Sequence, residues 1–417
     1  MRVLFVHQNY PAQFGFLARM LERHYGWETV FATKWEGKVS GQKLVRYAAP
    51  PGVTEDVDFL ARNFEATSRQ SLAVYRAVRD AGLRGKIDLV VGHSGFGSSL
   101  FLGDLLGCPV VNLFEFFYRT SAEGKPFRPE FPLDEAYKQR LRVLNACILL
   151  DLHRATAGYT PTHFQRNQFP SEYLPKIETL FDGVDHTYFR RREGLPRVIA
   201  GRTIPDHVKI VTYVSRGFES MRGFDIFVRV AKRVYAEHPD VLFVCVGSDR
   251  VCYGGDMRYI KEKSFREHVW KAERPDDSKF LFTGRVPTNE LVDLLSLGDA
   301  HVYFTVPFVL SWSLFNAMSC GCRIVSCDTG PVREVLVNGR SGLLADFFDV
   351  EAHARNVLRI LKDPAAHDGL GRSARQTVTE KYSLVRTVPA FARLFARVGG
   401  REVPRPRVPL ETGGAAQ

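Results

Sequence analysis

No apolar run in this 417-residue sequence approaches the roughly 18–20 residues that span a bilayer. The start, Met-Arg-Val-Leu-Phe-Val, is interrupted by His7 and Gln8, so it reads as a buried first strand and not as a signal peptide. These two absences predict a soluble, cytoplasmic protein. The seven cysteines are odd in number and lack CxxC pairing, which argues against a disulfide framework or a zinc site. Nothing suggests a DxD pair serving the phosphates either: Asp134 and Asp151 stand alone, and nearby Asp-rich spots read as helix starts or turns. No bound metal is therefore expected, with cationic side chains supplying the ion's charge. The net charge is +11, but the basic residues are dispersed. No basic helix or interleaved aromatic motif points to nucleic acid. Peripheral contact with an anionic inner membrane face stays open, and so does the oligomeric state.

The length suits two domains of about 150–200 residues each. Short β-rich runs alternate with helix-length amphipathic stretches, as in βαβ units with parallel sheets. Strands are predicted at Val3–Val6, Glu28–Thr33, Leu44–Ala48, Asp88–Gly92, Val110–Phe114, Tyr159–Pro161 and Ile177–Phe181. A second series follows at Lys209–Ser215, Val241–Gly247, Phe280–Gly284, His301–Thr305, Arg323–Cys327 and Gly342–Ala345. The expected fold class is α/β, two Rossmann-like domains facing a central cleft. Residues 1–190 form the first domain and 207–381 the second. Residues 191–206, rich in Arg, Gly and Pro, read as an exposed linker. Residues 382–400 form a terminal helix expected to pack back on the first domain, and 401–417 a flexible tail.

In doubly wound folds the loops after the carboxyl ends of strands carry ligand chemistry. The first strand of the second half runs into Ser215-Arg216-Gly217-Phe218-Glu219-Ser220-Met221-Arg222-Gly223 before a helix begins. Guanidinium forks at Arg216 and Arg222 can meet a diphosphate beside free backbone N–H groups. Gly247 and Gly284 end the next two strands, where a missing side chain lets backbone approach a ligand. Ser311 and Ser313 are candidate caps for a helix running through Trp312 and Asn316, whose N-terminus offers donors to phosphate oxygens.

In order and spacing the second half resembles family 4 retaining glycosyltransferases with the GT-B fold, on SRGFESMRGFD, FTGRVPTNEL, LFNAMSCGC and DTGPVREVLVNGRSGLL. The first half agrees on FVHQNYPAQFGFLARML, DLVVGHSGFGSSLFL, LFEFFYR and FDGVDHTYF. The resemblance covers residues 1–395. It implies an acceptor-binding first domain, a second domain holding a UDP- or GDP-linked sugar donor, and no further cofactor. Arg216 and Arg222 then match the basic pair on the diphosphate, where the family usually has lysine at the latter position. Gly217 and Gly247 lie beside that loop. Arg285 and Val286 match the nucleobase contact, and Ser311, Trp312 and Ser313 the helix-entry amides near phosphates and sugar.

One departure stands out. The family's two glutamates, seven residues apart, are here Phe308 and Asn316. Asn316 still offers a hydroxyl one acceptor oxygen; Phe308 offers none. A branch with other sugar contacts, a binding protein that has lost turnover, and altered residues at these positions all remain open. A nucleotide-sugar epimerase or hydrolase is a further alternative. On the acceptor side Gly15, in the loop after the first strand, permits close approach of a ligand. His93 ends another strand and either positions the donor sugar or the acceptor hydroxyl or is a satisfied structural residue. Glu115 either orients an acceptor or pairs with Arg119, at the head of a long aromatic and basic loop through Phe127 and Arg128.

Overall fold

The computed structural model describes residues 1–48, 50–53, 55–97, 99–120 and 124–410. The chain builds two compact units. Among the described residues the first takes Met1–Thr120, Asp134–Gly183 and Leu384–Leu410; the second takes Val184–Ser383 and the short segment that ends at Leu133.

The first unit is organised by seven strands: β1 (Arg2–Val6), β2 (Glu28–Thr33), β3 (Lys43–Arg46), β4 (Leu89–His93), β5 (Val110–Leu113), β6 (Ala157–Thr160) and β7 (Ile177–Thr179). They lie in the order β3-β2-β1-β4-β5-β6-β7, and every pairing is parallel. Central strands of such a sheet are covered on both faces and read as continuous apolar runs. Thus Leu4 and Val6 pack on one side with Val30, Val74 and Val90. Val3 and Phe5, pointing the other way, pack with Phe14, Phe31, Tyr159 and Phe391. Phe391 lies in the terminal helix Leu384–Val398, which belongs with this unit and meets helix Phe14–Tyr25. Residues 401–410, expected to be a flexible tail, are held: Arg407 N–H donates to the His24 carbonyl at 2.7 Å, and Leu410 packs on the core. The remainder of that expected tail, 411–417, lies outside the described residues.

The second unit opens with a two-stranded antiparallel hairpin, β8 (Val198–Ile199) and β9 (Arg202–Thr203). This is where an exposed linker is expected, but Ile199 and Ile204 are buried among Ile210, Leu242 and Val244. Two isoleucines in a polar, Gly/Pro-rich stretch were enough to tie it down. Six parallel strands follow: β10 (Lys209–Gly217), β11 (Val241–Ser248), β12 (Phe280–Gly284), β13 (Ala300–Tyr303), β14 (Ile324–Cys327) and β15 (Leu343–Ala345). Their order is β12-β11-β10-β13-β14-β15. Both sheets are Rossmann-like, and strand bounds agree with the sequence expectation to within two residues. Among the described residues no helix is long and apolar enough to cross a membrane.

Candidate functional site

Strands β11, β10 and β13 are neighbours, so the loops at their carboxyl ends gather at one edge of the second sheet. Arg216 is the penultimate residue of β10 and is exposed. The chain then turns through Ser220–Arg222 and enters helix Phe224–Glu237. Three consecutive carbonyls of this turn are held. Ser220 O accepts Gly223 N–H at 2.9 Å, Met221 O accepts Val306 N–H at 3.0 Å, and Arg222 O accepts the Tyr213 hydroxyl at 2.8 Å.

Arg222 is buried. Its Nη1 donates to the Tyr303 hydroxyl (3.3 Å), Thr305 Oγ1 (2.7 Å) and the Val309 carbonyl (3.0 Å), and the guanidinium lies 5.0 Å from the Tyr253 ring centre. Burial works against its charge, but Tyr303, Tyr253 and Glu219 outweigh it and the net pKa shift is upward. Arg222 thus braces the loop after β13 besides carrying a fixed positive charge.

Glu219, fully buried, was not singled out from sequence. Its Oε2 accepts the N–H groups of Cys252, Tyr253 and Gly254 at 2.8, 2.8 and 3.0 Å, pinning the loop after β11 to the turn after β10. A glutamate between two arginines carries no local signal of that kind. Tyr253 then packs against Phe308 at 5.8 Å. An aromatic pair beside Arg222 stands where the resemblance leads one to expect a carboxylate.

Ser311 caps helix Trp312–Ser319, its Oγ accepting Ser313 N–H at 3.2 Å. Ser313, the other candidate cap, is inside the helix and donates from Oγ to the Val214 carbonyl at 3.1 Å, tying the helix start to β10. Trp312 is exposed and Asn316 half-buried. Arg285 is exposed after β12, and Val286 packs against the hydrophobic cluster of Leu242 and Val244.

Three of the site glycines make room for the protein's own chain. A Cβ at Gly217 would lie 2.2 Å from Arg250 O, and one at Gly247 (φ 147°) 2.0 Å from Ser215 O. They let loop backbone meet loop backbone. Gly15 likewise makes room for its own loop, a Cβ there falling 2.2 Å from Pro11 Cβ.

In the first unit, β1, β4 and β5 are adjacent, and their carboxyl ends bring together His7, His93 and Glu115. The rings of His7 and His93 stack at 5.4 Å, with Phe96 5.0 Å from His93. His93 is buried, and among the described residues neither ring nitrogen has a hydrogen-bond partner. Burial first, then the neighbouring His7, pushes its pKa well down; burial brings His7 to about 4. Both imidazoles are neutral near pH 7. His93 Nε2 stands 3.9 Å from Glu115 Oε2, too far for a direct hydrogen bond. Arg119, the partner considered for Glu115, donates to the carbonyls of Asn167 and Gln168.

Residues 25–189 match the family model described as "Glycosyl transferase family 4 group", and residues 197–377 the one described as "Glycosyl transferases group 1". Glycogen synthase of Mycobacterium tuberculosis is 28% identical over 200 residues, 48% of this chain and 45% of that protein. N-acetyl-alpha-D-glucosaminyl L-malate synthase of Bacillus anthracis is 22% identical over 219 residues, 52% of this chain and 53% of that protein. The chain thus spans about half the length of these relatives. Among solved structures, Anabaena HepE in complex with UDP and glucose superposes with a TM-score of 0.69 at 13% identity, covering 95% of this chain and all of that one. Sucrose-phosphate synthase from Thermosynechococcus elongatus gives 0.71 at 18% identity, covering 96% and 99%. With both halves matched in order and the fold shared along its length, the chain belongs to the family 4 glycosyltransferases of GT-B fold.

Proposed function

We propose that this protein is a retaining glycosyltransferase, moving a sugar from a nucleotide diphosphate-sugar to an acceptor hydroxyl. The observation that carries the reading is the convergence, at neighbouring strand ends of the second unit, of Arg216, the buried Arg222 guanidinium and the amides that open helix Trp312–Ser319. Negative charge grows on the diphosphate as the bond to the sugar's anomeric carbon breaks. Fixed cations and the positive end of the helix dipole stabilise that charge without reorganising. The bonding pair leaves with the phosphate oxygen. The acceptor oxygen bonds the anomeric carbon on the same face, and its proton passes to the departing diphosphate. The arginines supply the positive charge in this scheme, which is metal-independent.

UDP is the first donor nucleotide to test, because HepE was solved with UDP and with UDP-glucose; GDP is the second. In the first unit His93 and Glu115, whose polar atoms stand 3.9 Å apart, are the residues to test for positioning the acceptor hydroxyl. The acceptor is a glycan, a small molecule or a lipid-linked sugar. The +11 charge fits loose contact with an anionic membrane face and a soluble acceptor equally.

Phe308 and Asn316 favour a second reading, a nucleotide-sugar or glycan-binding protein without turnover. Mass spectrometry after incubation with a panel of nucleotide sugars separates the possibilities: glycosylated product supports transfer, untouched donor supports binding, and altered or hydrolysed donor an epimerase or hydrolase. Replacing both Arg216 and Arg222 with alanine is expected to lower donor turnover by more than about a hundredfold. Transfer at the wild-type rate would refute their assignment.

A further inference from the structure

Between β5 and helix Glu135–Arg154 the chain leaves the first unit, and the segment from Gly124 to Leu133 joins the second. This excursion touches two of the three loops that build the candidate donor site. Gly124 N–H donates to Pro307 O at 2.9 Å, next to Phe308. Further along, Arg128 is buried to 2% exposure. Its Nη1 donates to Ser220 O at 2.8 Å, while Nη1 and Nη2 grip the two oxygens of Asp225 at 3.1 and 2.7 Å. Rings of Phe131, Phe347 and Phe348 lie 5.4, 5.3 and 5.8 Å from the guanidinium. Phe127 stacks on Phe348, and the Tyr259 hydroxyl donates to the Pro132 carbonyl.

We infer that Arg128 is a positioning residue for Arg222, and that residues 124–133 act as a strap holding the turn after β10 and the loop after β13 in register. The inference rests on the donor-site reading above and names what sets its geometry. Among the described residues, of the donors to the carbonyls of the turn Ser220–Arg222 only Arg128 comes from the strap; the others belong to the sheet and its own loops. A buried ion pair is an inefficient way to add stability, since desolvating both charges offsets most of their attraction. What a bidentate Arg–carboxylate fork adds is orientation. Arg229 also pairs with Asp225, at 2.7 Å, so removing Arg128 does not leave that carboxylate alone. The Ser220 carbonyl, two residues before Arg222, loses its tie to the strap and keeps the local bond from Gly223 N–H.

The test compares wild type with Arg128→Met, which keeps the length and apolar contacts, and Arg128→Lys, which keeps the charge but not the fork. Dissociation constants for UDP, GDP, ADP and dTDP are measured by calorimetry well below each variant's melting temperature. For the nucleotide that wild type prefers, Arg128→Met is expected to weaken binding about tenfold and Arg128→Lys about threefold, the lysine form recovering part of the loss. If Arg128→Met fails to fold, the lysine form carries the comparison. A variant that melts earlier but binds nucleotide as wild type does would show a role in stability alone and overturn the inference. Binding of none of the four diphosphates by wild type would overturn the donor reading and the strap with it.

Discussion

His7 and His93 stack at the strand ends of the first unit, and burial lowers the pKa of both. His7 is held to about 4 by burial, against its single supporting contact with Asn9. A histidine depressed in the folded state contributes stability that is present above its unfolded pKa of about 6.5 and is lost as pH falls through about 4. His7 alone is then expected to withdraw about 3 kcal/mol across that window, with His93 adding to it. Thermal unfolding followed from about pH 7 down to pH 4 should show the slope, and His7→Gln should flatten it. An unchanged slope would mean that protonation is absorbed elsewhere. Asn316 is the other residue to probe. Glutamate has two acceptor oxygens and a charge where the amide has one neutral oxygen, so Asn316→Glu is expected to bind UDP about three- to tenfold more tightly. Weaker binding would show that Asn316 does not stand in for a ribose clamp.

At the scale of elements, the eight-residue helix Trp312–Ser319 matters most, because its start is shared between cap and site. Ser311 both caps it and receives Ser313 Oγ–H at 2.9 Å. Ser311→Ala is expected to cost about 1 kcal/mol in chemical denaturation. Trp312→Ala, exposed at the next position, should cost less than about 0.5 kcal/mol. Equal losses would place the helix start under tertiary packing and not under its cap. Elements of this kind were legible in advance: apolar runs flanked by Gly and Ser located β10 to β15 and the helix entry.

For the whole molecule, the chain does not divide by sequence order. Helix Leu384–Val398, at the far end of the sequence, completes the core of the first unit. There Phe391 meets Tyr159 at 5.0 Å and Phe395 at 5.6 Å. Ending the chain before Leu384 is expected to unfold the first unit, since Val388, Phe391 and Phe395 are fully buried there. The milder Phe391→Ala should cost about 3–5 kcal/mol, read from the denaturation midpoint. A truncated chain that keeps a cooperative transition for each unit would contradict the assignment of that helix.

Taken by itself, the sequence determined the two-sheet α/β pattern, the strand ends, the arginines at 216 and 222 and the cap at Ser311. All of these rest on neighbours within a few positions, through periodicity, turn residues and capping. Tertiary structure alone decided which charged residues are buried. Glu219 and Arg128 carry no local sign of burial until backbone N–H groups, a carboxylate and ring faces from distant positions enclose them, and Arg222, placed at the site by sequence, is buried as well. It also decided what the glycines are for: Gly217 and Gly247 admit a neighbouring loop, and only the folded chain brings that loop within 2.2 Å.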